Sequence, residues 1–203
     1  RVFAGCRAPS KATALNQLAA ANPDAVSVHA LDVTAPDTIA TLADALKNEA
    51  IDVLINNAGV AGDGGAGPMD FDSFTQTLAV NTVGPVRVAE AFVDHVAASE
   101  IKTMVSITSG MGSIGDNGSG GYLAYRTSKA ALNMAMRTLA HDFSRRGIIA
   151  IVLNPGWVKT DMGGAGATRT PEQSISAMRT VIAGLGPEDS GKFFNHTGDE
   201  FPW

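Results

Sequence analysis

The segment Ile51-Asp52-Val53-Leu54-Ile55-Asn56-Asn57-Ala58-Gly59 joins a short apolar run to a polar turn. An apolar run of this length that ends in asparagine and glycine is typical of a buried strand followed by a turn. Two successive asparagines at the end of a buried strand need local hydrogen-bond partners for their amides. The segment therefore predicts a strand with a polar, locally bonded turn at its carboxyl end.

The same pattern recurs along the whole chain. Short apolar runs alternate with helix-like stretches, which indicates an α/β protein with a doubly wound parallel sheet in three α/β/α layers. Several runs are almost wholly apolar, as expected of strands that helices cover on both faces. The predicted strands are residues 2–6, 26–31, 51–56, 103–108, 148–153 and 192–195, and the predicted helices are residues 10–21, 36–48, 71–97, 121–146 and 171–183.

Capping residues support three of the helix ends. Ser10 is a predicted N-cap, and Thr170 with Gln173 places a cap and an N3 partner in register at another helix start. Gly147 suits the end of the fourth helix. Glycine-rich stretches follow strands at residues 62–67, 115–121 and 163–166, and loops at the carboxyl ends of parallel strands build the ligand crevice of an open sheet.

Composition narrows the class of protein. The 203 residues, 45% of them apolar, suit a single domain with one core, and the formal net charge of -5 argues against a nucleic-acid-binding surface. The single cysteine, Cys6, cannot form an internal disulfide and suits a reducing cytoplasm. The sequence has no run of about 18 apolar residues, so no membrane span is expected. No metal site is expected either, because the histidines do not pair at helical spacing; they are His29, His95, His141 and His196.

Tyr125 and Lys129 lie one helical turn apart near the start of a predicted helix, so both side chains address one face. A nearby cation favours the phenolate and lowers the pKa of a tyrosine, which suits proton exchange near neutral pH. Taken alone, the pair also fits a solvated helix face. Upstream, the predicted strand 103–108 runs into a glycine-containing turn, which places the hydroxyl of Ser109 where ligands bind in parallel sheets.

In order and spacing, these residues resemble the classical short-chain dehydrogenase/reductase family, from the first residue to the last. The ending, residues 191–195 followed by Pro202 and Trp203, looks like the last strand and tail of its small carbonyl reductase branch. The resemblance implies a Rossmann-like fold and four catalytic residues, Asn81, Ser109, Tyr125 and Lys129. It also implies that the cofactor contacts Asp32, Val33, Asn57, Ala58, Gly59, Tyr125, Lys129, Pro155, Gly156, Val158 and Thr160.

By the chemistry of that family, hydride passes between a nicotinamide and the carbonyl carbon of an aldehyde or ketone while Tyr125 gives or takes the proton on oxygen. Ser109 would donate a hydrogen bond to the developing alkoxide. Lys129 would hold the nicotinamide ribose and lower the pKa of Tyr125, and Asn81 would maintain a helix irregularity and a water that links Lys129 to solvent. The helices 71–97 and 121–146 often form the dimer face in this family, which implies a homodimer and leaves a monomer open.

Two residues keep alternative interpretations. Residues 116–121 lengthen the segment between Ser109 and Tyr125 beyond the commonest family pattern, so Ser113 competes for the role of the catalytic serine. We prefer Ser109, because it stands at the end of the strand. Trp157 either lines the substrate pocket or belongs to the core.

The cofactor prediction depends on the start of the chain. Arg7, rather than a carboxylate, follows the strand 2–6, and an arginine there accommodates the 2′-phosphate of NADP, so NADP(H) is preferred over NAD(H). The first strand, glycine-rich turn and helix of the family, which cradle the pyrophosphate, are missing ahead of Arg1. Either the sequence begins within a longer chain or the natural chain lacks this unit. We favour the first, because a parallel sheet without its central strand exposes unpaired backbone edges.

Two functions from different classes remain. The leading hypothesis is an NADPH-dependent reductase of aldehydes or ketones, with the reverse oxidation of alcohols open. The alternative is a signalling or regulatory protein that keeps the nucleotide-binding fold without turnover. The complete set of four predicted catalytic residues favours the enzyme, because a protein that only binds a nucleotide has no chemical need of all four.

Overall fold

The computed structural model describes residues 1–62 and 68–203. These residues form two compact units, Arg1–Glu49 and Ala50–Trp203. The expectation of a single domain stays a prediction. Of the predicted glycine-rich stretch 62–67, all but Gly62 lies outside the described residues. None of the helices in the described part of the chain has both the length and the apolar character needed to cross a membrane.

The first unit contains a two-stranded parallel sheet and two helices. Strand β1 (Val2–Cys6) leads through α1 (Thr13–Ala21) to its parallel neighbour β2 (Val26–Ala30), and α2 (Pro36–Ala45) follows. Neither strand has a fully buried residue, and α1 buries none. The expectation of strands covered on both faces therefore fails for β1 and β2, because the two helices of this unit leave both strands partly open to solvent.

The second unit contains a four-stranded parallel sheet in the order β3-β4-β5-β6. Its strands are β3 (Val53–Asn56), β4 (Thr103–Ile107), β5 (Ile149–Asn154) and β6 (Phe193–Asn195). Its helices are α3 (Phe71–Leu78), α4 (Gly84–Ala91), α5 (Val93–Ala97), α6 (Leu123–Phe143) and α7 (Pro171–Ala183). Because all neighbouring strands are parallel, their carboxyl ends meet at one edge of the sheet.

Side chains of the central strands point alternately to the two faces of this sheet. Met104 packs in a cluster with Leu132 of α6, whereas its neighbour Val105 packs in the opposite cluster, against Val181 of α7. The sheet of the second unit therefore lies between α6 on one face and α7 on the other. This is the three-layer α/β/α arrangement that the sequence predicts.

The capping predictions are confirmed at the start of α7 and after α6 and are wrong at the start of α1. Ser10 is not an N-cap, because it lies in a 3-10 turn and α1 begins only at Thr13. Thr170 and Gln173 form the predicted capping box at the start of α7. Gly147 follows the 3-10 turn that continues α6 and adopts a left-handed conformation with φ of 72°. Predictions that rest on paired capping residues are thus more reliable than one that rests on a single serine.

The predicted long helix 71–97 is interrupted. A π-helical turn, Ala79–Val83, separates α3 from α4, and a second break separates α4 from α5. Pro85 has no N–H to give to the carbonyl four residues earlier, and its ring crowds that carbonyl. The N–H of Gly84 instead donates to the carbonyl of Ala79, five residues back. The chain thus widens for one turn, at a point where the sequence suggests a continuous helix.

Candidate active site

Tyr125, Lys129 and Asn133 lie four residues apart along one face of α6. Lys129 and Asn133 are buried, and Tyr125 is half-buried. The Nζ of Lys129 lies 5.8 Å from the centre of the Tyr125 ring and donates a hydrogen bond of 2.8 Å to the carbonyl of Ile107, the last residue of β4. The helix thereby brings a phenol and a buried ammonium to the carboxyl end of the sheet.

Ser109 lies just beyond β4, where it begins a 3-10 turn. Its Oγ accepts a hydrogen bond of 3.1 Å from the N–H of Met111. The same hydroxyl lies beside the side chain of Tyr125 and acts to lower the pKa of the phenol. Because the bond from Met111 uses only a lone pair, the Ser109 proton remains available for an oxygen at the site.

Ser113, the competing serine, is buried, and its hydroxyl is hydrogen-bonded to two backbone groups. Its Oγ donates to the carbonyl of Trp203 (3.3 Å) and accepts from the N–H of Asp116 (3.0 Å). The structure thus places Ser109 beside Tyr125 and gives Ser113 a role in holding the loop.

Burial shifts the pKa values of both titratable groups against their charged forms. Loss of solvation raises the pKa of Tyr125, and the Ser109 hydroxyl opposes that rise. Loss of solvation lowers the pKa of Lys129 to about 8. The pKa of Tyr125 is thus raised rather than lowered in the protein alone, because desolvation is the largest influence on it.

Asn81 lies in the π-helical turn and is fully buried. Its carboxamide pairs reciprocally with the backbone N–H and carbonyl of Val60, at 2.8 Å each, and donates to the Oγ of Ser128 at 3.0 Å. It thereby joins the segment after the Asn-Asn-Ala-Gly turn to the residue that precedes Lys129. The family resemblance implies an irregular helix at Asn81, and the π turn is such an irregularity.

The turn after β3 passes close to the lysine. A Cβ on Gly59 would lie 3.6 Å from the Nζ of Lys129 and 3.4 Å from the Oδ1 of Asn81. A side chain at Gly59 would therefore fill the space beside the ammonium. Asn57 and Ala58, the other predicted cofactor residues of this turn, are exposed.

The loop after β5 carries the remaining predicted cofactor residues of the second unit. Gly156 has φ of 77°, and a Cβ there would lie 3.1 Å from the ring of His196, so the position requires glycine. Trp157 is 56% exposed and donates from Nε1 to the carbonyl of Gly163 at 2.8 Å, so its assignment to the core is wrong. The other predicted contacts of this loop are half-buried or exposed; they are Pro155, Val158 and Thr160.

In the first unit, the predicted cofactor residues lie at the carboxyl ends of β1 and β2. Arg7 is exposed, and Asp32 and Val33 are half-buried. The Asp32 carboxylate accepts hydrogen bonds from the hydroxyl (2.7 Å) and the N–H (2.9 Å) of Thr34. These bonds, with a smaller attraction from Arg7, lower the pKa of Asp32. The carboxylate is therefore fixed in orientation and charged at neutral pH.

Several polar residues of the site are not singled out by the sequence. Asn133 accepts from the hydroxyl of Thr108 (2.6 Å) and donates to the carbonyl of Gly112 (3.3 Å), so it holds the Ser109 turn on both sides. Its signal is its spacing, one more turn along the face that carries Tyr125 and Lys129. The buried amide of Asn56, which donates to the Oγ of Ser106 at 3.3 Å, has no comparable signal beyond the local bonding expected of the asparagine pair.

The side chains of the second unit suit an organic ligand with hydroxyl groups. An ammonium, a phenol and an aliphatic hydroxyl converge at the carboxyl end of the sheet, close to Gly59. Within residues 1–62 and 68–203, no three His, Cys, Asp or Glu side chains gather in a way that could hold a metal ion. The site therefore fits a ribose and a small polar group.

Comparison with known proteins gives a family and several similar structures. The sequence model of the family described as short chain dehydrogenase matches residues 1–170. C-signal of Myxococcus xanthus is 46% identical over 154 residues, which cover 75% of this chain and 93% of that protein.

Two solved structures of carbonyl reductases also superpose closely. The carbonyl reductase Sniffer of D. melanogaster gives a TM-score of 0.92 at 31% identity, covering 99% of this chain and 87% of that chain. The NADPH-bound carbonyl reductase from chicken fatty liver gives a TM-score of 0.92 at 33% identity, covering 100% of this chain and 87% of that chain.

Proposed function

Because this chain belongs to the short-chain dehydrogenase family, we propose that it is an NADPH-dependent reductase of aldehydes or ketones in which Tyr125 is the general acid. The observation that carries the proposal is the buried ammonium of Lys129, 5.8 Å from the centre of the Tyr125 ring, at the end of β4 where the Ser109 hydroxyl also lies beside that phenol. Both carbonyl reductases that superpose on the chain support a carbonyl substrate.

The chain's own residues account for the proton and for the charge on oxygen. When bound, a nicotinamide nucleotide supplies the hydride. Tyr125 then gives its phenolic proton to the carbonyl oxygen, and burial favours the protonated phenol that this step needs. The Ser109 hydroxyl donates a hydrogen bond to the same oxygen as negative charge develops there.

Lys129 contributes a positive charge and a hydrogen-bond donor. Its ammonium lies beside Gly59, and in the proposed complex it donates a hydrogen bond to a ribose hydroxyl. A charge there also favours the phenolate that Tyr125 leaves behind, so the phenolic proton is given up more easily. Asn81 keeps the Gly59–Val60 backbone and the Lys129 turn of α6 at a fixed separation.

A direct assay tests the proposal. The full-length protein is mixed with NADPH and a panel of aldehydes and ketones, and the absorbance of the reduced nicotinamide is followed. Tyr125→Phe removes only the hydroxyl and is expected to lower kcat by about 10²- to 10⁴-fold. Tyr122→Phe is the matched control, because Tyr122 is exposed and makes no hydrogen bond with Ser109 in the described structure. Equal activity of both variants would refute the role of Tyr125.

The proposed preference for NADP(H) depends on Arg7. Its exposed guanidinium can bind a phosphate in bidentate fashion, which an NAD ribose does not offer. Arg7→Ala is expected to lower kcat/KM for NADPH by about tenfold or more and to leave NADH unaffected. Arg1→Ala is the control, because Arg1 pairs with Glu49 at 2.8 Å. Equal losses with both nucleotides would contradict the preference.

A signalling function is the second candidate, and the identity of 46% to a protein named C-signal favours it. This candidate needs a folded, nucleotide-binding chain and no turnover. Nucleotide binding by calorimetry, without reduction of any carbonyl in the panel, would support signalling over catalysis. Loss of biological activity in Tyr125→Phe would support catalysis.

Two further predictions accompany the proposed enzyme. We propose a homodimer through the helices of residues 71–97 and 121–146, because exposed apolar side chains lie on α3 and α6; they include Phe71 and Met134, at 71% and 67% exposure. Light scattering during size-exclusion chromatography tests it by mass. A cytoplasmic location stays a prediction.

A further inference from the structure

The chain reverses after β6 and returns beside it. Gly198 has φ of 93°, which suits the reversal, and the N–H of Asn195 donates to the carbonyl of Asp199 at 2.8 Å. The N–H of Phe201 then donates to the carbonyl of Phe193 at 2.7 Å. Residues 201–203, here termed the return segment, are thereby directed back along the sheet.

Aromatic contacts hold the return segment in place. The Phe193 ring, which is fully buried, lies 5.0 Å from the ring of Phe201 and 5.6 Å from that of Trp203. The guanidinium of Arg137 on α6 lies 4.8 Å from the centre of the Trp203 ring. The segment therefore packs on both β6 and α6 through contacts of the kind that add to plain apolar burial.

The return segment contacts the turn that carries Ser109. The carbonyl of Trp203 accepts from the N–H of Gly115 at 2.7 Å and from the Oγ of Ser113 at 3.3 Å. A Cβ on Gly110, the residue after Ser109, would lie 3.3 Å from the Phe201 ring. The segment thus touches the turn at its start and at its end.

The opposite side of the same turn lies against α6. Asn133 bonds to Thr108 and Gly112, and a Cβ on Gly112 would lie 2.9 Å from the backbone carbon of Lys129. The turn is therefore confined between α6 on one side and the return segment on the other.

We propose that the return segment is a positioning element for catalysis, which holds the Ser109 turn against α6 so that the Ser109 hydroxyl stays beside Tyr125. This inference rests on the proposed function where it concerns kcat, whereas the placement of Ser109 beside Tyr125 is independent of it. The segment touches none of the reacting groups, so its variants act through Ser109. Weakening it lowers kcat and leaves the KM for NADPH nearly unchanged.

The first test compares two alanine variants in the full chain. Trp203→Ala is expected to lower kcat by about tenfold, less than the 10²- to 10³-fold cost of losing an oxyanion donor outright. Trp203→Phe keeps a ring against Phe193 and is expected to restore kcat. Leu185→Ala is the control, because Leu185 packs on the opposite face of the sheet and supports stability without contacting the turn.

The second test needs no turnover. The sequence has two tyrosines, so ¹³C-tyrosine labelling with Tyr122→Phe identifies the Tyr125 resonance. Because the Ser109 hydroxyl lowers the pKa of Tyr125, Trp203→Ala is expected to move the Tyr125 titration to higher pH, and Leu185→Ala is expected not to. If Trp203→Ala does not fold, Ser113→Ala removes one bond to the segment and replaces it in both tests.

The outcomes separate the two proposals. A wild-type protein that reduces no carbonyl overturns the proposed function, and the Tyr125 titration still decides the positioning role. The positioning role is overturned if Trp203→Ala and Leu185→Ala lower kcat equally and neither changes the pH at which Tyr125 titrates. Only a titration shift confined to Trp203→Ala, Ser113→Ala or both supports it.

Discussion

The two compact units differ in how they hold the residues that carry chemistry. In Arg1–Glu49 the predicted cofactor residues stand at the ends of strands without a fully buried side chain, and Arg7 is open to solvent. In Ala50–Trp203 the central strands β4 and β5 are almost wholly buried, and Lys129 and Asn81 are enclosed with them. Burying an ammonium is costly, so it requires a unit with a large core to sustain it.

The comparison also shows what apolar strands alone can predict. The sequences of β1 and β5 are similarly apolar, yet β1 buries nothing and β5 buries five residues in succession. A strand becomes buried only when neighbours pair on both edges and helices cover both faces. The composition of a segment therefore predicts that it forms a strand. Whether the side chains of that strand are buried depends on the strands that pair with it and the helices that cover it.

The largest expected effect comes from the same substitution made in both units. Leu153→Ala empties a fully buried position in β5 and is expected to lower the free energy of unfolding by about 2–5 kcal/mol. Leu18→Ala, at a position 52% exposed in α1, is expected to change it by less than about 0.5 kcal/mol. Urea denaturation measures both. Similar losses of unfolding free energy at the two leucines would contradict the difference in burial between the two units.

The second prediction concerns the pH dependence that the buried ammonium creates. The pKa of Lys129 falls from 10.5 to about 8 on folding, so between these pH values the unfolded chain binds a proton that the folded chain does not. Stability therefore rises with pH across this window, by on the order of 3 kcal/mol. Lys129→Met is expected to lose this rise, while Lys47→Met, at an exposed lysine of the first unit, keeps it.

Thermal unfolding at a series of pH values from 7 to 11 measures the effect as a difference between each variant and the wild type. Parallel curves for the wild type and Lys129→Met would show that the folded protein does not hold a destabilised ammonium. The same variant is expected to lose carbonyl reduction, so it gains relative stability at neutral pH as it loses activity.

The smallest expected effect on the free energy of unfolding comes from replacing one asparagine in each unit. Asn133→Ala removes the partner of Thr108 and Gly112 and is expected to cost about 1–3 kcal/mol, because buried polar groups are left unpaired. Asn22→Ala removes an exposed bond to the carbonyl of Leu18 and is expected to cost less than about 0.5 kcal/mol. Denaturant titration again supplies the measurement, and equal costs would contradict it.

Much of the fold and of the family is predictable from the sequence. The strands, the capping box at Thr170 and the left-handed Gly147 follow from local patterns, and the predicted family is confirmed. The spacing of Tyr125 and Lys129 places them on one helix face for the same reason. Local rules suffice wherever a residue's neighbours in space are also its neighbours in sequence.

The rest depends on distant contacts. The sequence favours Ser109 over Ser113 from its place at the strand end, but the hydrogen bond of Ser113 to the carbonyl of Trp203, ninety positions away, is not visible in it. The raised pKa of Tyr125 follows from burial that helix spacing does not reveal. Ser10 fails as a cap because Pro9 starts a separate turn. These outcomes are set by packing, which a pattern of residue types along the chain does not contain.

The π-helical turn at Asn81 accommodates one residue more than a regular helical turn would. Deletion of a single residue between positions 79 and 83 would remove the extra residue of this turn, while Pro85 would still interrupt the hydrogen bonding of the helix. Every side chain upstream would then rotate by about 100° relative to those downstream. The rotational register between the two parts of this helix thus depends on one residue. A related protein without that residue would lose the Asn81 contacts and keep every other residue of the site.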